Sequence, residues 1–201
     1  DAMGLRGRVS LSVGWVTLFL MGTDLFIVSP LLPFISEEYN VSSAMTGWMV
    51  TVFAVTYAIA APFFGWASDK NGRGIFITFG LLLFSFSNAL TAFSPSFTWL
   101  IISRILAGLS VAAITPLIYA IIGDIAPSNR RGTWLSILVS GHLTALWAGA
   151  PLGILLEYFL GWRSVFVVMA TLGIILAVVN FKTWKYVPRS VLTRNQLEGN
   201  L

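Results

Sequence analysis

The stretch GWASDKNGRG, from Gly65 to Gly74, decides how this chain is to be read. A long apolar run precedes it and another follows it, whereas three charged residues, Asp69, Lys70 and Arg73, lie inside it. Hydrocarbon accepts an apolar helix and excludes a charged loop. The stretch is therefore predicted to be a tight connection between two membrane-spanning helices.

The composition of the whole chain is typical of an integral membrane protein. Of its 201 residues, 57% are hydrophobic and 10% are charged, against about 25% charged residues in soluble domains. Because a helical span needs about 20 apolar residues, the length allows about six spans with short connections. The chain has no cysteine, which excludes disulfides and thiolate metal sites. We expect an all-α integral membrane fold with six transmembrane helices.

The apolar runs divide the chain into three parts. Residues 1–9 are predicted to be a cytoplasmic segment whose first four residues are left from cloning, residues 10–182 a six-helix bundle, and residues 183–201 a cytoplasmic tail or the start of a central loop. The six predicted helices cover residues 10–35, 45–68, 75–93, 98–123, 132–159 and 163–182.

The basic residues predict the orientation of the bundle. Ten of the twelve lie on one face: Arg6, Arg8, Lys70, Arg73, Arg130, Arg131, Lys182, Lys185, Arg189 and Arg194. Positively charged loops remain on the cytoplasmic side, so both chain ends are expected to be cytoplasmic in a cell membrane. The basic residues are scattered among hydrophobic spans, which argues against a nucleic-acid surface.

A weak internal repeat relates the two halves of the bundle. SPLLPFI from Ser29 resembles TPLIYAI from Thr115, and TGW from Thr46 resembles GTW from Gly132 at the same offset. Three spans per unit would make the second unit inverted in the membrane. Such a 3+3 inverted repeat is typical of secondary transporters.

GWASDKNGRG also resembles the signature between helices 2 and 3 of the major facilitator superfamily. Gly65, Asp69, Gly72 and Arg73 match that pattern, whereas Gly74 stands where the pattern has a basic residue. Five further stretches resemble family segments in the right order: TDLFIVSPLLP from Thr23, RILAGLSVAA from Arg104, DIAPSNRRG from Asp124, GAPLG from Gly149 and GWRSVF from Gly161. The stretch from Thr23 is similar to helix 1 of the drug and metabolite efflux branch.

The resemblance implies the amino-terminal six-helix half of a transporter. In that family two six-helix bundles rock about a central site, and the efflux branch exports small organic molecules in exchange for protons. One six-helix bundle forms only one wall of the central cavity. The opposing wall would come from a carboxy-terminal half, if the chain is a piece of a longer transporter, or from a second copy in a dimer. The alternatives are a non-transporting membrane scaffold or folding unit that needs a partner half, and an uncoupled facilitator. Because the sequence has no phosphate-binding loop, metal-ligand cluster or nucleophile with a base, we expect neither an enzyme nor a metal or other cofactor.

Two charged residues, Asp24 and Arg104, fall within predicted spans, about 15 and 9 Å deep at 1.5 Å per residue. A lone charge there costs at least about 2.5 to 3.5 kcal/mol, so a partner, a hydrated cavity or protonation is needed. Our hypothesis is that Asp24 faces a central cavity and binds a proton or the substrate, while Arg104 orients it or binds an anionic group. Gly108, Thr115 and Tyr119 share a helical stripe with Arg104 and would line that cavity. The alternative is a static buried ion pair.

His142 falls in the middle of span 5 and titrates near neutrality, so it is a further candidate for proton binding. A hydrogen-bonded packing histidine is the alternative. Glu37, Glu38 and Glu157 lie near the outer interface and are interpreted as solvated surface charges.

A second candidate site lies at the predicted cytoplasmic edge. Gly65 would let another backbone approach helix 2, and Gly72 would allow a tight turn. The charged members Asp69, Arg73, Asp124 and Arg131 would form a gate or latch, meaning ion pairs that hold helices together. The alternative is a set of ordinary loop charges.

The stretch from Gly149 predicts close helix packing. Gly149 and Gly153 lie four residues apart, on one face of helix 5, with Pro151 between them. Small residues at this spacing allow helix backbones to approach closely in membranes.

Overall fold

The computed structural model describes residues 2–185, and the described chain is a bundle of six apolar helical spans. Its helices are α1 (Ala2–Tyr39), α2 (Ser43–Asn71), α3 (Arg73–Ala92), α4 (Phe97–Ile125), α5 (Arg131–Thr144), α6 (Ala150–Leu160) and α7 (Trp162–Lys185). The described residues contain no strand. The all-α membrane fold predicted from composition is confirmed.

Span 5 is a compound helix of residues 128–160, not the uniform helix predicted for residues 132–159. A 3₁₀ turn, Ser128–Arg130, leads into α5, and a π-helical turn, Ala145–Gly149, joins α5 to α6. Pro151 stands in the first turn of α6. Because proline has no N–H to donate to the preceding turn, a wider turn in front of it accommodates the free carbonyl groups.

The first span is longer than predicted. The apolar pattern predicted residues 10–35, whereas α1 has 38 residues and a length of about 57 Å at 1.5 Å per residue. A hydrocarbon core of about 30 Å cannot contain it, so its charged ends extend past the bilayer. The predicted amino-terminal segment is thus part of α1. The predicted tail after Lys185 lies outside the described residues.

The predicted loop between spans 2 and 3 is a single residue. α2 continues to Asn71, α3 begins at Arg73, and only Gly72 separates them. Gly72 has a φ of 91° and donates its N–H to the Ser68 carbonyl oxygen at 2.9 Å. A side chain at this φ would be strained, so glycine permits the abrupt reversal.

The packing of the spans agrees with an inverted repeat. α1 packs on span 5 and on α7, while α4 packs on α2 and on α3, and α3 packs on α7. Exchanging spans 1–3 with spans 4–6 interchanges the α1 pairs with the α4 pairs and leaves the α3–α7 pair unchanged. α4 is the central helix, with 67% of its most apolar window buried, whereas α2 and span 5 are peripheral, at 17% and 22%.

The bundle has two distinct ends. The basic end contains the α2–α3 junction, the connection from α4 to span 5, and the first turns of α1. The opposite end contains the α1–α2, α3–α4 and α6–α7 connections.

Candidate functional site

Asp24 and Arg104 contact one another inside the bundle. Arg104 Nη1 of α4 donates a hydrogen bond to Asp24 Oδ1 of α1 at 3.1 Å. The two residues are 0% and 1% exposed. The guanidinium carbon also lies 4.6 Å from the ring centroid of Phe53 in α2, a distance at which the ring attracts the cation. The pair therefore connects α1, α2 and α4, and neither charge faces lipid.

The hydrogen bonding of this pair is incomplete. Asp24 Oδ2 and Arg104 Nε are buried and have no hydrogen-bond partner among the described residues. Buried polar atoms are usually paired, so each exception needs an explanation. An unpaired carboxylate oxygen can accept a proton, a water molecule or another small donor.

Part of the stripe that includes Arg104 lies against α2 in the structure. A Cβ at Gly108 would come within 2.7 Å of the Phe53 carbonyl oxygen. Thr115 is also buried, with its hydroxyl unpaired among the described residues, and Tyr119 is partly exposed. Gly108 therefore allows α2 to approach α4 closely at this part of the stripe.

His142 is partly buried in α5 and packs against α1. A Cβ at Gly22 would come within 3.2 Å of His142 Cδ2, and Gly22 is two residues from Asp24. The buried His142 Nδ1 has no hydrogen-bond partner among the described residues. No hydrogen bond between His142 and Asp24 occurs in residues 2–185.

Arg73 is the centre of an ion cluster at the basic end. Its Nη2 pairs with Asp69 Oδ1 of α2 at 3.0 Å, and its Nη1 pairs with Asp124 Oδ2 of α4. Arg73 is the first residue of α3, so the cluster connects three helices. Arg131 is exposed at the start of α5 and forms no ion pair with any residue in the described part of the chain. The structure therefore joins three of the four predicted charges and leaves Arg131 apart.

The predicted glycines occupy two different environments. A Cβ at Gly65 would meet no atom within 4 Å in residues 2–185. By contrast, a Cβ at Gly149 would overlap Thr23, and one at Gly153 would overlap Ile27, both in α1. Pro151, between them, is exposed. Gly149 and Gly153 thus lie in a tight interface with α1, whereas Gly65 lies on an open surface.

A polar cluster at the opposite end was not predicted from the sequence. Arg163, the second residue of α7, pairs with Glu38 Oε1 at 2.6 Å and donates to the carbonyl oxygen of Ala92 at 2.8 Å and the hydroxyl of Tyr39 at 2.8 Å. Glu38 Oε2 also accepts a hydrogen bond from Trp162 Nε1 at 2.5 Å. The interpretation of Glu38 as a merely solvated charge is wrong, because it joins α1 to α7. Arg163 could have indicated this cluster, since it is the one basic residue that the predicted topology places in a connection at this end.

A second unpredicted contact joins α1 and α7 near the basic end. Asn180 Nδ2 donates to Thr17 Oγ1 at 3.0 Å, and Trp184 Nε1 donates to Asn180 Oδ1 at 2.8 Å. All three side chains are buried. Each of these residues falls at a helical spacing typical of buried apolar positions, so nothing in the sequence indicated that their side chains pair.

The described residues include no group of three His, Asp or Glu side chains that could hold a metal ion. The charged groups that the fold brings together in the described residues are instead a buried ion pair and an ion cluster at each end.

Known proteins are similar to this chain in sequence. The family model described as Major Facilitator Superfamily matches residues 14–199. The chain is 34% identical over 162 residues to the uncharacterized MFS-type transporter YceJ of Bacillus subtilis, covering 81% of this chain and 41% of that protein. It is 33% identical over 148 residues to Multidrug resistance protein 1 of the same species, covering 74% and 38%.

The fold is also similar to that of a solved transporter. A bacterial homologue of the human lysosomal transporter Spinster, crystallised in an inward-facing and occupied conformation, superposes with a TM-score of 0.75 at 21% identity. The match covers 86% of this chain and 43% of the homologue. The matched residues thus cover about two fifths of the length of each of these three proteins, and the chain belongs to the major facilitator superfamily of membrane transporters.

Proposed function

We propose that the chain is one of the two six-helix halves of a proton-coupled exporter of small organic molecules in a cell membrane, with its basic end in the cytoplasm. The similarity to Multidrug resistance protein 1 supports an export role. The observation that carries the proposal is the unpaired Oδ2 atom of the buried Asp24.

In the proposed mechanism, Asp24 carries the proton. In the paired state the aspartate and Arg104 neutralise each other, with Nη1 and Oδ1 3.1 Å apart. Protonation at Oδ2 would make Asp24 neutral and leave Arg104 as a lone buried cation, which costs several kcal/mol. The bundle would then have to change conformation until Arg104 gains water or another partner. Such a change can couple proton binding to alternating access.

We propose His142 as an accessory proton carrier. Its side chain lies against Gly22, one helical turn or less from Asp24 along α1, and its Nδ1 atom has no partner among the described residues. An imidazole can exchange protons near neutral pH. Positions 22 and 24 point to different sides of α1, so a chain of water molecules around α1 would be required to carry a proton between His142 and Asp24.

The second half is proposed to pack on α2. Small residues follow one face of α2 at alternating intervals of four and three: Gly47, Thr51, Ala54, Ala58, Ala61 and Gly65. All six are exposed or half-exposed in the six-span bundle. Small residues at this spacing let another helix approach closely in a membrane. The Arg73 cluster at the end of this face would then act as the proposed gate.

The experiment compares proton movement with transport of defined probes. Inverted vesicles that contain the chain, alone or fused to a second copy of itself, are given ethidium and a series of uncharged dyes while internal pH is recorded. Dye uptake coupled to proton release supports the proposal, and Asp24→Asn should abolish both. Glu37→Gln, at an exposed site near the opposite end, is the matched control. Coupling that survives Asp24→Asn would contradict the role of Asp24.

The complete burial of the Asp24–Arg104 pair favours a second candidate, an uncoupled facilitator in which the pair is static. That protein would move the dyes without response to a pH gradient. A non-transporting scaffold, or a folding unit that needs a different second half, would move none of them in either form.

A further inference from the structure

A surface groove lies between α1, span 5 and α7. It has a volume of about 390 Å³, and its walls are α1 from Val16 to Thr23, span 5 from Gly149 to Leu156 and α7 from Val165 to Leu176. The groove is open along one side, where Leu152 and Leu172 form its rims and are 61% and 42% exposed. When the six-span chain stands alone in a bilayer, lipid covers its apolar surface, so this open side then faces hydrocarbon.

The groove offers no free hydrogen-bonding side chain. Its lining consists of glycines and apolar side chains together with Thr23. The Thr23 hydroxyl already donates to the Phe19 carbonyl oxygen of its own helix at 2.8 Å. A water molecule needs two to four polar partners, so the groove suits an apolar occupant.

The groove lies within the hydrocarbon core and runs along the helical spans. Its α7 wall starts at Val165, close to the first residue of α7 at the opposite end, and continues to Leu176. At 1.5 Å per residue this wall is about 16 Å long, and half of the hydrocarbon core is about 15 Å thick. The α1 wall, Val16–Thr23, lies on the basic-end side of Asp24, which is near the middle of the core, so the groove crosses the middle of the bilayer and runs in the direction of an acyl chain.

We propose that this groove binds one acyl chain of a phospholipid. No hydrophobic force favours such binding, because lipid tails are as apolar as the leucines around them. The stabilisation comes from dispersion contacts on three sides of the chain, contacts that an unfilled groove would lack. Occupancy should consequently exceed that of a flat helix surface by a few-fold.

A second groove in the same bundle is less suited to an acyl chain. It has a volume of about 420 Å³, lies between α3 and α7 and includes Ser85 and Thr171 in its lining. The buried Ser85 Oγ has no hydrogen-bond partner among the described residues. A hydrocarbon chain cannot provide one, so the second groove should be the weaker site.

The test uses the 201-residue chain in nanodiscs of phosphatidylcholine that carries a photoreactive diazirine in its acyl chain. After irradiation, labelled positions are mapped by mass spectrometry. Labelling per exposed residue in segments 149–156 and 165–176 should exceed labelling around Ile59, a 73% exposed residue of α2, by about fivefold, or ~1 kcal/mol. Val168→Phe, which fills the groove, should remove this excess. Val178→Phe, on the same helix but outside the groove, should leave it unchanged.

Three results would overturn the proposal: uniform labelling of all exposed spans, equal labelling of the α3–α7 groove, or an excess that persists in Val168→Phe. Displacement of the label by the dye Nile red at a small fraction of the lipid concentration would also overturn it, because a small-molecule site would then be the better description. Leu172→Phe serves as a second filling variant, and thermal melting checks that each variant is folded. The readout requires no transport, so it is independent of the proposed function.

Discussion

At the scale of single residues, the greatest energetic demand lies on Asp24 and Arg104, which are charged and fully buried. Removing one partner of a buried ion pair destabilises a protein by about 3 to 5 kcal/mol, since the other charge remains without compensation. Arg104→Gln and Asp24→Asn should therefore each lower the melting temperature of the purified chain. The double variant should be more stable than the Asp24→Asn single variant, because it contains no buried charge.

Melting curves of the four proteins form a double-mutant cycle that measures the coupling between the two residues. Additive losses in this cycle would show that the pair does not interact, and the proposed coupling through Asp24 would lose its basis. The sequence predicted that both charges need shelter, because hydrocarbon does not tolerate them. It left open whether they pair or face a cavity, since that depends on how α1, α2 and α4 pack together.

The second prediction at this scale concerns Arg163. It connects Glu38, Tyr39 and the carbonyl oxygens of Ala92 and Ser94 through its guanidinium group. Arg163→Lys keeps the charge but lacks the fork of donors. We expect this substitution to lower the free energy of unfolding by about 1 kcal/mol or slightly more. This figure is discounted because about a third of the side chain is exposed.

Hydrogen exchange at the α3–α4 connection is the measurement for this variant. Faster exchange there in Arg163→Lys would agree with the prediction, and the same exchange as in the native chain would contradict it. Lys182→Arg, at an exposed site near the end of α7, is the control for a change of basic residue.

At the scale of helical elements, the glycines separate internal interfaces from open surfaces. Gly149→Val should destabilise the bundle by about 1 to 3 kcal/mol, because the new side chain would overlap Thr23 and force α6 away from α1. Gly47→Val should have little effect on the isolated chain, since no atom lies within 4 Å of a Cβ at that position in the described residues. Thermal melting of the two variants checks the prediction.

A third variant identifies the cause of the loss. The first atom that a Cβ at Gly149 would meet is the Thr23 hydroxyl. Gly149→Ala adds only this Cβ, so combining it with Thr23→Ala should restore part of the stability that Gly149→Ala alone loses. A Gly149→Val protein as stable as the native chain would refute the close contact. The sequence predicted a tight interface from two glycines four residues apart. It could not identify α1 as the neighbour or reveal the π-helical turn beside Gly149, because both depend on tertiary packing.

At the scale of the whole molecule, the positive-inside pattern predicts that both chain ends are cytoplasmic. The absence of cysteine makes this testable with single-cysteine variants. In intact cells, a membrane-impermeant maleimide should label Asn40→Cys at the opposite end and leave Thr133→Cys at the basic end unlabelled. The reverse pattern would overturn the orientation, and labelling of Thr133→Cys after permeabilisation confirms that its thiol is reactive.

The architecture was more predictable than the sites. Hydropathy alone is sufficient for six spans, because an apolar stretch of about 20 residues has few alternatives to a membrane helix. The limits of the spans were less accurate where polar residues continue a helix beyond the bilayer, as at Glu37 in α1. Contacts between distant side chains, such as Asn180 with Thr17, were not predictable from spacing, since each depends on the relative rotation of two helices.

The single residue between α2 and α3 has a mechanical consequence. Because only Gly72 joins the two rods, any tilt of α2 relative to α3 is concentrated in the backbone torsions next to that glycine. The next residue, Arg73, is paired with Asp69 on α2 and with Asp124 on the central helix α4. A change of the backbone torsions at Gly72 would then occur together with an exchange of the ion-pair partners of Arg73. Salt concentration should therefore affect the rate at which α2 tilts.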